Sequence, residues 1–229
     1  MIADTQKFSY IDSIRGYAVF MVLAMHVFLY GGSEGDASNY LADAWMQSRM
    51  GVMLFYMISA LTLFLSYNSK IKKEKHHLKN YFIRRAFRIL PLFYIVCIYQ
   101  LVFYKYELLE IIGTLTLTNG YMPEHIQGIV GGGWSIAIET SFYLLIPFLF
   151  KYIRSLRDSV IFVVAAVVFS IISRYLVFAI LGNTYPHDIL LDWVYYWLPN
   201  QLPVFGLGIF LYFLFFQSDI ADLQNSKFA

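Results

Sequence analysis

Cysteine is all but absent from this chain. Cys97 is the single thiol and sits in an apolar run, which excludes an internal disulfide and leaves the redox compartment unmarked. Charge is scarce as well. Only 14% of the residues are Asp, Glu, Lys or Arg, against 59% hydrophobic residues and a mean hydropathy of +0.58. A soluble domain rarely combines so much apolar surface with so little charge. No zinc-type Cys/His spacing, Gly-rich phosphate loop or G-x-S-x-G elbow occurs, so no metal is expected. Nor is there an internal repeat or a low-complexity linker, and residues 1–229 read as one membrane domain. The first apolar stretch is too long for a cleavable signal peptide and lacks a small-residue cleavage site, so it is expected to be kept as a first span.

What the chain has in place of charge is long apolar runs, each about the length that crosses hydrocarbon. They predict an all-α, polytopic transmembrane bundle of about six spans, roughly 11–30, 50–67, 89–105, 134–151, 159–181 and 201–217. The stretch ELLEIIGTLTLTNG is apolar but too short to cross, and a span there would carry Lys151, Arg154 and Arg157 to the wrong side. An interfacial or re-entrant segment around 108–125 is therefore expected, with Gly131, Gly132 and Gly133 as a flexible approach to the fourth span.

Charge placement predicts orientation. With the N-terminus in the cytoplasm, Lys7, Lys70, Lys72, Lys73, Lys75, Lys79, Arg84, Arg85, Lys151, Arg154 and Arg157 share the cytoplasmic side. The outer loops then hold mostly acids, among them Glu34, Asp36, Asp43, Glu107, Glu110, Asp188 and Asp192. A cytoplasmic (inner) membrane location follows, with the lipid bilayer as the first partner and no feature suited to nucleic acid.

Three ionisable residues lie inside the apolar boundary near the outer side: His26, Glu139 and Arg174. Counted from the outer ends of their spans they share a depth of roughly 6–10 Å. Charge at that depth costs a few kcal/mol unless paired or wetted. A polar cavity uniting them would give a carboxylate-assisted imidazole, the minimum unit of general-base chemistry. A structural Glu139–Arg174 salt bridge, with His26 elsewhere, satisfies the same constraint. Arg15 and His26, eleven residues apart, fall on one face of a helix about 16 Å apart along its axis.

Near the other side, Arg84, Arg85 and Arg88 open the third span in FIRRAFRILP, with Arg15 at a similar depth. Arginine suits multidentate phosphate binding. It is also the usual anchor of a cytoplasmic helix end on lipid headgroups. Asp12, three residues before Arg15, is expected to pair with it. Ser59 is read as a helix-packing residue, and His76 and His77 as part of a solvated lysine-rich loop.

Four blocks in order resemble the acyltransferase 3 family of integral membrane acyltransferases: YIDSIRGYAVFMVLAMH, GVMLFYMISALTLF, YFIRRAFRILPLFY and WSIAIETSFYLLIP. The likeness runs from residue 8 to about 215 and covers the N-terminal part of the family pattern. Met53 and Ala60 depart from it, and family members usually have more spans, so the chain is expected to be truncated at its C-terminal side. The resemblance implies that His26 is the catalytic histidine, with Arg15 its partner in the first block. It also implies that Arg85 and Arg88 are a functional arginine pair and that Glu139 is the glutamate of the fourth block.

The implied donor is cytoplasmic acyl-CoA, expected to be acetyl-CoA, held by Arg15, Arg84, Arg85 and Arg88. The implied acceptor is a hydroxyl of an extracytoplasmic polysaccharide or glycolipid. Two other readings stand beside this one. A proton-coupled transporter or flippase could use His26, Glu139 and Arg174 as its path, and a truncated chain could be non-catalytic.

Overall fold

The computed structural model describes residues 9–30, 50–71 and 73–216. The expected outer loop 31–49, Lys7 and Lys72 lie outside the described residues. Eight α-helices follow in order: α1 (Ser9–Tyr30), α2 (Met50–Ile71), α3 (His77–Phe103), α4 (Leu108–Leu115), α5 (Gly133–Tyr152), α6 (Leu156–Leu181), α7 (His187–Tyr196) and α8 (Leu198–Phe216), and there is no strand among the described residues. Helix is the form expected of apolar runs in lipid, because each backbone N–H and C=O must be satisfied without water. Helices α2, α3, α5 and α6 and the stretch His187–Phe216 are each long and apolar enough to cross a membrane. Helix α1, with 22 residues or about 33 Å, packs along α2. The molecule is a polytopic helical bundle.

Contacts fix the helix directions. Tyr56, Ser59 and Tyr67 of α2 meet Ser135, Glu139 and Phe150 of α5, so these two helices run parallel. Helix α8 joins them, with Tyr56 stacked on Phe205 and Asn68 bonded to Tyr212. Helices α3 and α6 run the opposite way. Half of the α2 span is buried against 11% for α3 and α6, which places α2 at the centre and those two outside, facing lipid. The core is largely aromatic, and Phe142 stacks on Phe205 with ring centroids 3.8 Å apart. A Cβ at Gly208 would run into the Met57 carbonyl, so glycine there is what lets α8 lie directly on α2.

The bundle has one strongly basic end, where α2 meets α3 and α5 meets α6. The opposite end is capped by residues 104–132. The eight residues of α4 reach only about 12 Å. Leu108, Leu109 and Ile112 of α4 are exposed, as an interfacial helix requires. The chain then folds back over the bundle. Thr114 Oγ1 accepts from the Ile129 amide, Asn119 donates to Ile126 O, and Ile129 packs on Phe93 and Cys97. This segment matches the expected interfacial element.

Two boundaries differ from expectation. Helix α3 starts at His77 and not near 89, because the basic block NYFIRRAFR continues the apolar face of the span. His77 therefore opens a helix and lies edge-on to Tyr67, outside any solvated loop. The stretch expected as the loop after α6 contains α7, whose Leu190, Trp193 and Val194 are buried.

Candidate functional site

A cavity of about 430 Å³ lies between α1, α2, α3 and α5. Most of its wall is apolar: Val19 and Val22 from α1, Val52 and Phe55 from α2, and Ile89, Leu92, Phe93 and Val96 from α3. The polar lining comes mainly from one helix. Ser135, Glu139 and Tyr143 are spaced four residues apart, which puts them in one stripe along α5, and Arg88 faces that stripe from α3.

Glu139 is 5% exposed. Ser59 Oγ donates to its Oε1 at 2.5 Å and the Tyr143 hydroxyl donates to the same oxygen at 2.6 Å. The other oxygen, Oε2, takes no hydrogen bond from the described residues, and the carboxylate lines the cavity. A buried carboxylate with one oxygen satisfied and one left over is arranged for a ligand donor.

The arginines gather around this level. Arg85 and Arg88 lie within electrostatic reach of Glu139, and both reach Arg15 as well. Arg85 lies over the faces of Tyr81 and Tyr143, 5.8 and 5.7 Å from the ring centroids, and its buried Nε has no hydrogen-bond partner. Arg15 donates to Thr62 Oγ1 at 3.0 Å and pairs with Asp12 at 3.2 Å, the pairing expected from their spacing. Three guanidinium groups with one nearby uncommitted carboxylate oxygen leave a net positive, partly desolvated pocket that suits an anion. Arg84 stands apart, bonded through Nη1 to both oxygens of Glu74 at 2.9 and 3.0 Å.

His26 is not itself a wall residue and lies behind Val22, beside the turn that starts α5. Its Nδ1 is 2.8 Å from the carbonyl oxygen of Val22, itself a wall residue. A carbonyl can only accept, so Nδ1 carries the proton and Nε2 is the basic nitrogen. Nε2 is directed at Gly132, where a Cβ would come within 3.4 Å of it. Gly132 caps α5 with φ +77°, and Ser135 returns both its amide and its hydroxyl to the Gly132 carbonyl. The glycine run is thus a tight turn that passes close to the imidazole without a side chain.

The sequence-derived candidates fall into three groups. Arg15, Arg85, Arg88 and Glu139 come together, Arg84 is engaged by Glu74, and His26 sits at the α5 turn. Glu139 lies seven residues beyond Gly132, about 10 Å along the helix, and the Tyr143 hydroxyl reaches its carboxylate from one turn further on. The equal depth expected for His26 and Glu139 is therefore not observed. Arg174 is exposed on α6 and is not part of the cavity wall. Ser59 and Tyr143 were not foreseen at the site. The spacing of Glu139 and Tyr143 is readable in the sequence, whereas Ser59 meets Glu139 across 80 residues and leaves no local signal.

The helical membrane bundle thus holds one cavity lined by the buried Glu139 and by Arg88, with Arg15, Arg85 and His26 close to its wall. A scan against protein families matches residues 8–227 to the acyltransferase domain of the acyltransferase 3 family. The chain belongs to that family, whose members are membrane acyltransferases. Searches of curated proteins and of solved structures return no match.

Proposed function

We propose that the chain moves an acyl group, expected to be acetyl, from cytoplasmic acyl-CoA to a hydroxyl of a polysaccharide or glycolipid beyond the membrane. The observation that carries this reading is the cavity, which joins the arginine cluster to the turn facing His26. Along α3 it runs from Arg88 to Val96, about 12 Å. The positive-inside rule puts its arginine end towards the cytoplasm, in the inner membrane with the N-terminus inside.

In this scheme Arg85, Arg88 and Arg15 hold phosphate oxygens of the donor. The donor's arm lies along the α5 stripe, where Glu139 Oε2 accepts from an amide N–H. At the far end Nε2 of His26 takes the proton of the acceptor hydroxyl. The hydroxyl oxygen attacks the thioester carbon, the C–S bond breaks, and the thiolate leaves with the proton returned by the imidazolium. The products are an O-acyl ester and free thiol, and no metal or redox partner is required.

The test is transfer of label from acyl-CoA by purified protein in nanodiscs, compared with His26→Ala. General-base loss predicts a fall of roughly 10²–10⁴-fold with membrane insertion intact. Undiminished transfer by His26→Ala removes the histidine from the mechanism. Net flux of an acceptor without acylation would favour the transporter reading instead.

A further inference from the structure

A second cavity, of about 510 Å³, opens at the basic end between α2, α5 and α8, well away from His26 and outside the wall of the first. Its sides are aromatic, with Tyr67, Phe150 and Tyr212, and its polar groups are the Asn68 amide and the cations Lys151 and Arg154. Among the described residues no carboxylate lines it. Asp158, in the first turn of α6, accepts from the Arg154 amide, and its own amide donates to Ser155 Oγ.

Each wall suits one part of a ligand. At about 30 Å³ per water-sized group, the volume holds roughly seventeen such groups, the scale of a nucleoside. Tyr67 and Phe150 pack at 4.8 Å and offer an aromatic surface to a planar base. Asn68 is exposed and donates to the Tyr212 hydroxyl at 2.9 Å, which leaves its amide oxygen to accept from an exocyclic amine. Lys151 and Arg154 are exposed on the same rim, where phosphates would sit. A phospholipid headgroup would use the cations but has no planar group for the rings or the amide.

The cavity also adjoins the arginine cluster. Tyr67 lies edge-on to Tyr81 at 5.4 Å, and Tyr81 carries Arg85 over its face. A ligand with its base in this cavity can therefore send a phosphate-linked arm towards Arg85.

We infer that this cleft of Tyr67, Asn68, Phe150, Lys151, Arg154 and Tyr212 binds the phosphorylated adenosine end of the donor. The inference rests on the reading of that donor as acyl-CoA and assigns it a separate anchoring site. Adenosine 3′,5′-bisphosphate titrated into the full chain in neutral-lipid nanodiscs tests it directly, alongside acetyl-CoA and acetyl-pantetheine.

The bisphosphate should bind and displace acetyl-CoA. Asn68→Ala and the double variant Lys151→Ala, Arg154→Ala, both on the exposed rim, should weaken acetyl-CoA binding at least tenfold and leave acetyl-pantetheine unaffected. Failure of the bisphosphate to bind, or rim variants that hold acetyl-CoA as tightly as the parent, overturns the site. Displacement by phosphatidylglycerol vesicles but not by the bisphosphate assigns the cleft to lipid and also overturns it. Binding of the bisphosphate without any binding of acetyl-CoA would support the cleft while refuting acyl-CoA as the donor.

Discussion

Two glutamates near the arginines of this chain are held in opposite ways. Glu74, between α2 and α3 at the basic end, takes hydrogen bonds from Arg84 on both oxygens and from Asn80 on one. Its charge is matched and its acceptors are occupied. Glu139, inside the bundle, is held by two neutral hydroxyls on a single oxygen, while Arg85 and Arg88 stay beyond ion-pair distance and act on it only through space. A structural ion pair uses up its charge where it stands, whereas Glu139 and its arginines keep theirs directed at a cavity. The same contrast separates Arg84, which the third-span block offers as a phosphate ligand, from Arg85 beside it and Arg88 one turn on.

Substituting the two carboxylates is the sharpest way to break the comparison. Glu139→Gln keeps the size of the side chain but removes the charge. It should lower acyl transfer roughly tenfold to a hundredfold, the loss of one charge-assisted hydrogen bond of about 1.5–3 kcal/mol. Glu74→Gln should leave the transfer rate unchanged. Equal effects of the two substitutions in a labelled acyl-CoA assay would abolish the distinction.

The arginines give the next largest contrast. Arg85→Ala should raise the KM for acyl-CoA about tenfold, and Arg85→Lys should restore little of it, since a point charge does not reproduce the planar fork held over Tyr81 and Tyr143. Arg84→Ala should leave that KM where it was. A KM change for the acceptor but not for the donor would move Arg85 out of the donor site.

Much of this arrangement was legible in the sequence, and the part that was not has a physical cause. The spans follow from hydropathy, because lipid leaves the backbone little choice but helix, and the interfacial segment around 108–125 follows from its length and from the side on which a further span would leave Lys151, Arg154 and Arg157. The Arg15–Asp12 pair was readable from i, i+3 spacing. Depth was less secure. Counting inward from the ends of apolar runs puts His26 and Glu139 level, but the glycine turn beside His26 starts α5 and Glu139 lies seven residues further along that helix, so the two are not level. Nothing local could announce that Ser59 would meet Glu139, since packing of α2 on α5 brings them together. Arg84 and Arg85 are neighbours in sequence, yet a helix turns adjacent residues about 100° apart, so one faces Glu74 and the other Tyr143.

Gly132 offers a smaller and separable effect. Alanine there must hold φ +77° and places its Cβ 3.4 Å from His26 Nε2. The left-handed backbone should cost about 1–2 kcal/mol of stability, seen as a lower unfolding temperature in detergent. Acyl transfer should fall further than that loss of folded protein explains, because the methyl group comes against the imidazole ring. Loss of stability with an unchanged rate per folded molecule would make the turn purely structural.

The smallest effect expected belongs to Glu74, and it is a matter of pH. Its carboxyl is held below the ordinary carboxylate range, chiefly by the hydrogen bonds from Arg84, with Asn80 adding to them. A carboxyl depressed in the folded state stabilises the fold above its unfolded pKa of about 4.3 and loses that contribution as pH falls through the lower folded value. The gap in unfolding temperature between the parent and Glu74→Gln should therefore be steady from neutral pH down to about pH 5, then close as the medium is made more acid. High salt should narrow it as well, since both side chains of the pair remain partly open to solvent. A gap that persists in acid would mean that Glu74 acts through shape and not charge. The contrast with Glu139 would then rest on the two hydroxyls alone.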